Sequence, residues 1–159
     1  MLFRSSGSSY IIGSNTTRVV QEAPCPVISV QTHAKKIGFT KIALPIDDSP
    51  ESRQKVNFAM ELAQHYNSKI VVVGLMRSGN EDYQRKFKIK IEQVEGFLAE
   101  HGIDTDIVYK QGDDLAKNTL LAANEMDADL VVIMTEQEAS ITGLLMGTYA
   151  TKIKIGRAH

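Results

Sequence analysis

Four runs of apolar residues alternate with longer amphipathic stretches between residues 39 and 134. The most apolar runs are KIVVVGLM at 69–76 and DLVVIM at 129–134, which are rich in β-branched residues. Continuous apolar runs of this length are typical of strands that helices cover on both faces, as in a parallel sheet. Residues 39–47 and 104–110 show the same pattern more weakly and predict two further strands.

Three amphipathic stretches between these strands, at 49–67, 81–102 and 113–128, predict helices. The first opens with Ser49, a favoured N-cap residue, followed by Pro50 at the first helical position. In each stretch, apolar residues recur at helical spacing and define one inward face. These inward residues are Val56, Ala59, Met60 and Ala63, then Phe87, Ile91, Val94 and Leu98, then Leu115, Leu120 and Ala123.

The predicted elements alternate as strand and helix, joined by short loops. Gly102 is placed to end the second helix, and Asp113 or Asp114 is placed to cap the third. Strict alternation of this kind predicts an α/β domain built on a parallel sheet with right-handed crossovers.

A short internal repeat lies near the two ends of the chain. The pattern consists of glycine, a hydroxyl residue, two further residues, threonine, a basic residue and a β-branched residue. It occurs as GSNTTRV at 13–19 and as GTYATKI at 147–153. The first copy continues into the apolar run CPVISV at 25–30, whereas the second is followed by KIGRAH. We expect a fourth helix at about 141–154 with no strand after it, and a strand at 25–30 preceded by a helical stretch.

Several of these segments resemble the universal stress protein family. KIALPIDDSPESRQKVNFAMELAQHYNSKIVVVGL is similar to the family's first strand, Asp-containing turn, long helix and second strand. QGD before the third helix and DADLVVIM before the fourth fit the family as well. GSNTTRVVQEAPCPVISV resembles the closing helix and fifth strand of such a domain. The resemblance predicts a tandem protein in which this chain spans the end of one repeat and most of the next. The predicted parts are 1–31 from the preceding repeat, a linker at 32–38, the main domain at 39–155, and a tail at 156–159.

The resemblance implies a Rossmann-like open parallel sheet of order 3-2-1-4-5, with helices on both faces and the fifth strand at a dimer edge. A homodimer is therefore the expected assembly. Without a strand after the fourth helix, strand four would expose unpaired backbone groups. We hypothesise that residues 26–30 fill that position, within one chain or exchanged between two.

The resemblance also implies a nucleotide site in some members of the family. Asp47 falls where the family's aspartate contacts the nucleoside, and Leu75 falls where the second strand meets adenine. Gly147 and Thr148 match the end of the family's glycine motif, which holds phosphates through backbone N–H groups.

The other half of that motif departs from the family pattern. Met134 and Gln137 stand where its first two glycines belong, and both side chains would obstruct a close backbone approach to phosphate. Glu136 and Glu138 add negative charge that repels phosphates. We therefore expect a stress-response binding or interaction module without a cofactor and without enzymatic activity. The alternative is an ATP-binding protein, with Mg²⁺ and with weak or no hydrolysis.

Composition limits the other functions. The net charge of −1 gives no global attraction to nucleic acid or membrane, and the single cysteine excludes an internal disulfide. No run approaches the roughly 20 apolar residues that span a bilayer, so a cytoplasmic protein is expected.

Three further patterns suggest chemistry, each with a simpler interpretation. Asp47 and Asp48 could hold Mg²⁺, but they also suit a turn before a helix. The basic run RKFKIK at 85–90 could touch nucleic acid, but Lys86 and Lys90 share one helical face, which predicts a solvated surface. The histidines lack the spacing of metal ligands.

Overall fold

The computed structural model describes residue 22 and residues 39–133, and the latter form an α/β unit of alternating strands and helices. The predictions for the internal repeat, the fourth helix, the fifth strand, the linker and the tail fall outside the described residues. In the described part, no helix combines the length and apolar character needed to cross a membrane. The elements are β1 Lys41–Ile46, a 3₁₀ helix Glu51–Arg53, α1 Val56–Tyr66, β2 Lys69–Met76, α2 Glu81–Glu100, β3 Thr105–Gln111, α3 Leu115–Glu125 and β4 Leu130–Val131.

The four described strands form one parallel sheet in the order β3-β2-β1-β4. This order confirms the predicted 3-2-1-4 arrangement. The chain moves in one direction across the sheet from β1 to β3 and then returns to the far side of β1. Because such crossovers are right-handed, α1 and α2 cover one face of the sheet and α3 covers the other.

The core lies on both faces of the two central strands. Every residue of β1 and β2 is buried except the first of each, Lys41 and Lys69, which are half-buried. This burial explains why the two strands read as continuous apolar runs rather than alternating ones. The predicted inward residues of α2 are all buried: Phe87, Ile91, Val94 and Leu98.

The inward face of α3 is built from smaller residues than the sequence predicts. Leu115 and Leu120 are only partly buried, although Ala123 is buried as expected. The other fully covered positions are Ala116, Thr119 and Ala122. Small side chains let the helix backbone approach the sheet closely, which displaces the larger leucines toward the margin of the contact.

The start of the first predicted helix differs from the prediction. Ser49 does not cap an α-helix, because a 3₁₀ helix comes first and α1 begins only at Val56. The Ser49 hydroxyl instead turns back to the Asp47 carboxylate. The other helix ends follow the prediction: Asp114 caps α3 through the Lys117 N–H, and Gly102 adopts a positive φ of 74° after α2.

Pro45 lies within the central strand β1 and has no N–H to donate. The carbonyls of Lys41 and Ala43 accept hydrogen bonds from the segment containing β4, so alternate residues of β1 face β4. Pro45 belongs to the same alternate set and offers no N–H to that neighbour. The strand β4 ends at Val131, although Val132 still donates to the Ala43 carbonyl at 3.0 Å and Ile133 forms an isolated bridge.

Asp129 anchors the opposite, amino-terminal edge of the sheet. Its Oδ2 atom accepts hydrogen bonds from the Thr40 N–H at 2.9 Å, from the Lys41 N–H at 3.1 Å and from the Thr40 hydroxyl. Lys41 in turn donates its ammonium to the Met126 carbonyl at 2.7 Å. The loop before β4 is thereby tied to the start of β1, although the two lie almost ninety residues apart in sequence.

Candidate functional site at the carboxyl edge of the sheet

The strand order creates a switch point between β1 and β4, where successive connections leave in opposite directions. Open parallel sheets bind ligands in the crevice outside the carboxyl ends of the strands at such a point. Asp47 directly follows β1 and therefore lies at this position. Val132 and Ile133 follow β4 and are buried, and the chain from residue 134 onward lies outside the described residues, so the β1 side defines the candidate site.

Asp47 is held in a tight turn by its neighbours. Its Oδ1 atom accepts hydrogen bonds from the Ser49 N–H at 3.0 Å and from the Ser49 hydroxyl at 2.5 Å. Aspartates commonly bond their own backbone two residues on, which fixes a turn. The Asp47 carbonyl oxygen accepts from the Ser52 hydroxyl at 3.1 Å. The carboxylate thus has a defined orientation before any ligand arrives.

Lys90 clamps the same turn from the neighbouring helix α2. Its ammonium donates to the main-chain oxygens of Asp47 at 2.8 Å and Ser49 at 2.9 Å. Burial is the main cause that lowers the Lys90 pKa, and the Arg53 charge lowers it further, while nearby carboxylates oppose the shift. The predicted solvated face is therefore wrong for Lys90, whereas Lys86 does pair in solvent with Asp82 at 2.6 Å.

Lys55 is a buried cation immediately before α1. It is only 6% exposed. Burial lowers its pKa to about 8, assisted by the charge of Lys90 and opposed by the charge of Asp47. Within the described part of the chain, its ammonium makes neither a hydrogen bond nor an ion pair within 4.0 Å. Asp47 and Lys90 consequently act on it only over a longer distance.

Asp48 faces a different set of partners from Asp47. Its carboxylate lies 3.9 Å from the Arg77 guanidinium and accepts a 3.4 Å hydrogen bond from the Tyr83 hydroxyl. Burial is the main cause that raises the Tyr83 pKa. Among the described residues, no group of three or more carboxylate, histidine or cysteine side chains could hold a metal ion. The contacts of Asp47 and Asp48 favour the turn interpretation of this pair.

Leu75 reaches the carboxyl edge, but its side chain belongs to the core. Ile46 pairs with Gly74, and Asp47 and Leu75 are the residues that follow this last pair of the register. Both predicted site residues therefore lie at the same edge of the sheet. The Leu75 side chain is only 1% exposed. Gly147 and Thr148, the other predicted site residues, lie outside the described residues.

Sequence reasoning missed both lysines of this site, although the pattern contained a signal. Lys55 lies four residues before Ala59 and thus falls within the inward stripe of α1, where a charge is unusual. Lys90 lies between the buried positions Phe87 and Ile91 and flanks the inward face of α2. In this chain, the signal is therefore the position of each lysine within or beside an apolar helical stripe.

Comparison with known proteins identifies the family. The sequence model of the universal stress protein family matches residues 38–153, which is most of the chain. The chain belongs to the universal stress protein family, as its α/β fold and strand order also indicate. No curated protein sequence matches the chain.

Solved structures share the fold at low sequence identity. A universal stress protein in complex with cAMP has a TM-score of 0.60 and 20% identity, and the match covers 74% of this chain and 90% of that one. A protein of the family from Burkholderia pseudomallei has a TM-score of 0.59 and 16% identity, with 72% and 87% covered. A functionally unknown protein from Pseudomonas aeruginosa PAO1 has a TM-score of 0.65 and 20% identity; the match covers 92% of this chain and 56% of that longer one.

Proposed function

We propose that this chain is a non-enzymatic interaction module of the universal stress type, acting in the cytoplasm without binding ATP. One observation carries the proposal: the two described residues that the family resemblance assigns to the nucleoside are engaged inside the protein itself. Asp47 is folded into its own turn, and the Leu75 side chain is packed in the core.

The Asp47 turn is stabilised from three directions. Ser49 occupies one carboxylate oxygen, while Ser52 and Lys90 occupy the main-chain carbonyl of Asp47. Each hydrogen bond is worth about 1 kcal/mol, or more when one partner is charged. A nucleoside could bind Asp47 only in the present conformation of the turn, or by breaking some of these hydrogen bonds.

The sequence of the phosphate half supports the same conclusion. Met134 and Gln137 replace glycines at positions where a backbone must approach phosphate closely, and Glu136 lies between them. Glycine is required in such loops because any side chain fills the space that the phosphate needs. The loss of both glycines removes much of what would hold a triphosphate.

A thermal shift experiment separates this proposal from ATP binding. The protein is melted with increasing Mg-ATP and, in parallel, with inorganic triphosphate and Mg²⁺ at the same ionic strength. We expect ATP to raise the melting temperature no more than triphosphate does, because the nucleoside contributes nothing. A larger rise with ATP that grows with concentration and is lost in Asp47→Ala would contradict the proposal.

The alternative function is ATP binding with weak or no hydrolysis, and one observation favours it. The second oxygen of the Asp47 carboxylate, Oδ2, accepts no hydrogen bond from the described residues and lies at the switch point. It could accept one from a ribose hydroxyl. In that case the nucleoside would be held mainly by Asp47, and the ATP-specific rise in melting temperature would reveal it.

The proposed role requires association, for which we propose a homodimer. The hypothesis that residues 26–30 act as a fifth strand beside β4, within a chain or exchanged, rests on the internal repeat. The match to little more than half of a longer Pseudomonas protein is compatible with a tandem arrangement.

Light scattering on the chain and on a variant lacking residues 1–31 tests this role. We expect a dimer for the chain and a changed mass or poor solubility for the variant; two unchanged monomers would contradict it.

A further inference from the structure

Among residue 22 and residues 39–133, no carboxylate lies within ion-pair distance of the buried Lys55 ammonium. Buried lysines are normally paired, because an ion removed from water loses its hydration. Asp47 is the carboxylate that acts on Lys55, yet it lies beyond ion-pair distance, and one of its oxygens already serves Ser49. Lys90 adds a second positive charge. Of the described residues in this group, Lys55 and Lys90 carry two positive charges and Asp47 one negative charge, which leaves one positive charge in excess.

The other charged groups that the structure describes at this edge form no ion pair with Lys55, although Asp48 acts on Lys90 over a longer distance. Asp48 is engaged with Arg77 and Tyr83, across the end of β2. Glu51 and Arg53 are exposed on the 3₁₀ helix, carry opposite charges, and act on Lys90 in opposite directions. Lys90 itself donates to two main-chain carbonyls, so its own ammonium is held in place.

We propose that a small anion, carrying a single carboxylate or phosphate group, binds beside the Lys55 ammonium at the carboxyl end of β1. The anion would supply both the counter-charge and the hydrogen-bond acceptors that Lys55 lacks among the described residues. This site goes beyond the proposed function, since the ligand is not a nucleotide. It also does not depend on whether ATP binds, because Lys55 belongs to no part of the predicted nucleoside or phosphate sites.

The charge count favours a ligand with one anionic group over a polyphosphate. One uncompensated positive charge can be neutralised by one carboxylate or phosphate. A triphosphate would bring several negative charges next to Asp47 and Asp48, where like charges repel. The Lys90 clamp further restricts the ligand, because it fixes the loop at Asp47 and Ser49 and leaves no freedom to widen the site.

Binding should be linked to the protonation of Lys55. The ammonium form binds the anion and the neutral amine does not. Because the Lys55 pKa is about 8 without ligand, affinity should be constant below that pH and fall about tenfold per unit above it. The other described groups of this region whose pKa is shifted are Lys90, whose pKa burial lowers, and Tyr83, whose pKa burial raises.

The test uses the full chain with lysine labelled with ¹³C at Cε, titrated with sodium phosphate or sodium acetate against sodium chloride of equal ionic strength. We expect one anion, phosphate or acetate, to shift the Lys55 signal in a saturable manner and to raise the Lys55 pKa by one unit or more. Saturation by acetate alone identifies a carboxylate ligand, and saturation by phosphate alone identifies a phosphate ligand. Responses to both identify the shared anionic group.

Two variants provide matched controls. Lys55→Met should abolish anion-dependent thermal stabilisation, whereas Lys88→Met, which removes an exposed lysine from α2, should retain it. Lys55→Gln should also abolish it and provides a second check if the methionine variant folds poorly. The proposal is overturned if neither anion moves the Lys55 signal more than chloride does, or if Lys55→Met and Lys55→Gln respond like the native protein. If this proposal is overturned, the test of ATP binding still holds. That test compares ATP with inorganic triphosphate, so any rise in melting temperature caused by the phosphate groups is common to both ligands.

Discussion

The Lys90 ammonium donates a 2.8 Å hydrogen bond to the main-chain oxygen of Asp47, joining helix α2 to the end of β1 across 43 residues of sequence. A second bond to the Ser49 carbonyl makes the contact a two-point clamp. The turn that contains the candidate site is therefore positioned by a side chain from another element, and not by local sequence alone.

Removing this clamp should destabilise the fold. Lys90→Met keeps most of the apolar stem but leaves two carbonyls without their donor. We expect the free energy of unfolding, measured by urea denaturation, to fall by about 1–3 kcal/mol, the range for hydrogen bonds to charged groups. Lys88→Met is the control and should change the free energy of unfolding by less than about 0.5 kcal/mol, as is usual for exposed positions. Equal effects in the two variants would show that the clamp contributes nothing.

Replacing Lys55 should have the opposite effect near neutral pH. The Lys55 pKa falls from 10.5 to about 8 on folding, so the folded protein pays for a buried charge below pH 8. At about 1.4 kcal/mol per pKa unit, the cost approaches about 3 kcal/mol. We expect Lys55→Met to be more stable than the native chain at pH 7 by about 1–3 kcal/mol.

The pH dependence of this difference provides an independent check. Between pH 8 and 10.5 the unfolded chain binds a proton at Lys55 that the folded chain does not, so native stability rises with pH in that window. The advantage of Lys55→Met should therefore shrink steadily from pH 8 to pH 10.5. An advantage that stays constant over this window, measured by urea denaturation at each pH, would mean that the charge of Lys55 is not the cause.

The Asp129 anchor should be important for stability, although it lies far from the candidate site. Asp129→Ala leaves the N–H groups of Thr40 and Lys41 without their acceptor at the start of the central strand. We expect a loss of about 1–3 kcal/mol in unfolding free energy, because two partly buried N–H donors lose a charged acceptor. Asp129→Asn retains one acceptor oxygen and should lose less. Asp113→Ala, at an exposed loop position, should be nearly neutral.

Two glycines should respond to alanine in opposite ways. A Cβ atom at Gly74 would lie 2.7 Å from the Tyr109 ring and 3.3 Å from Ile91, so Gly74→Ala should cost about 1–3 kcal/mol by overpacking. Gly96 lies in α2 with open space around it, so Gly96→Ala should add about 0.5–1 kcal/mol by raising helix propensity. Melting temperatures that move in the same direction for both variants would refute this explanation.

The sequence predicts the strands and their order well because each strand is buried on both faces. The run at 69–76 matches β2 at both ends, since its apolar residues are all required by the core. The start of the first helix is predicted less well, because Ser49 has two possible roles and the nearby Asp47 carboxylate determines which one it takes.

The site is predicted less completely than the fold, because its contacts join distant segments. Asp47 and Leu75 follow from the family resemblance, and each comes directly after the last registered pair of β1 and β2. Nothing in the local pattern indicates that Lys90 reaches the Asp47 turn, since 43 residues separate them. Lys55 lies in the inward stripe of α1, which is a sequence signal, but its contact with the sheet follows only from the packing of that helix.

The proposed function is tested most directly by backbone amide spectra of the ¹⁵N-labelled chain with Mg-ATP and, in parallel, with Mg²⁺ and inorganic triphosphate. We expect the amide signals of Asp47, Ser49 and Leu75 to respond identically to the two ligands up to millimolar concentration. A saturable response of these three amides to ATP alone would contradict the claim that the chain functions without binding the nucleotide.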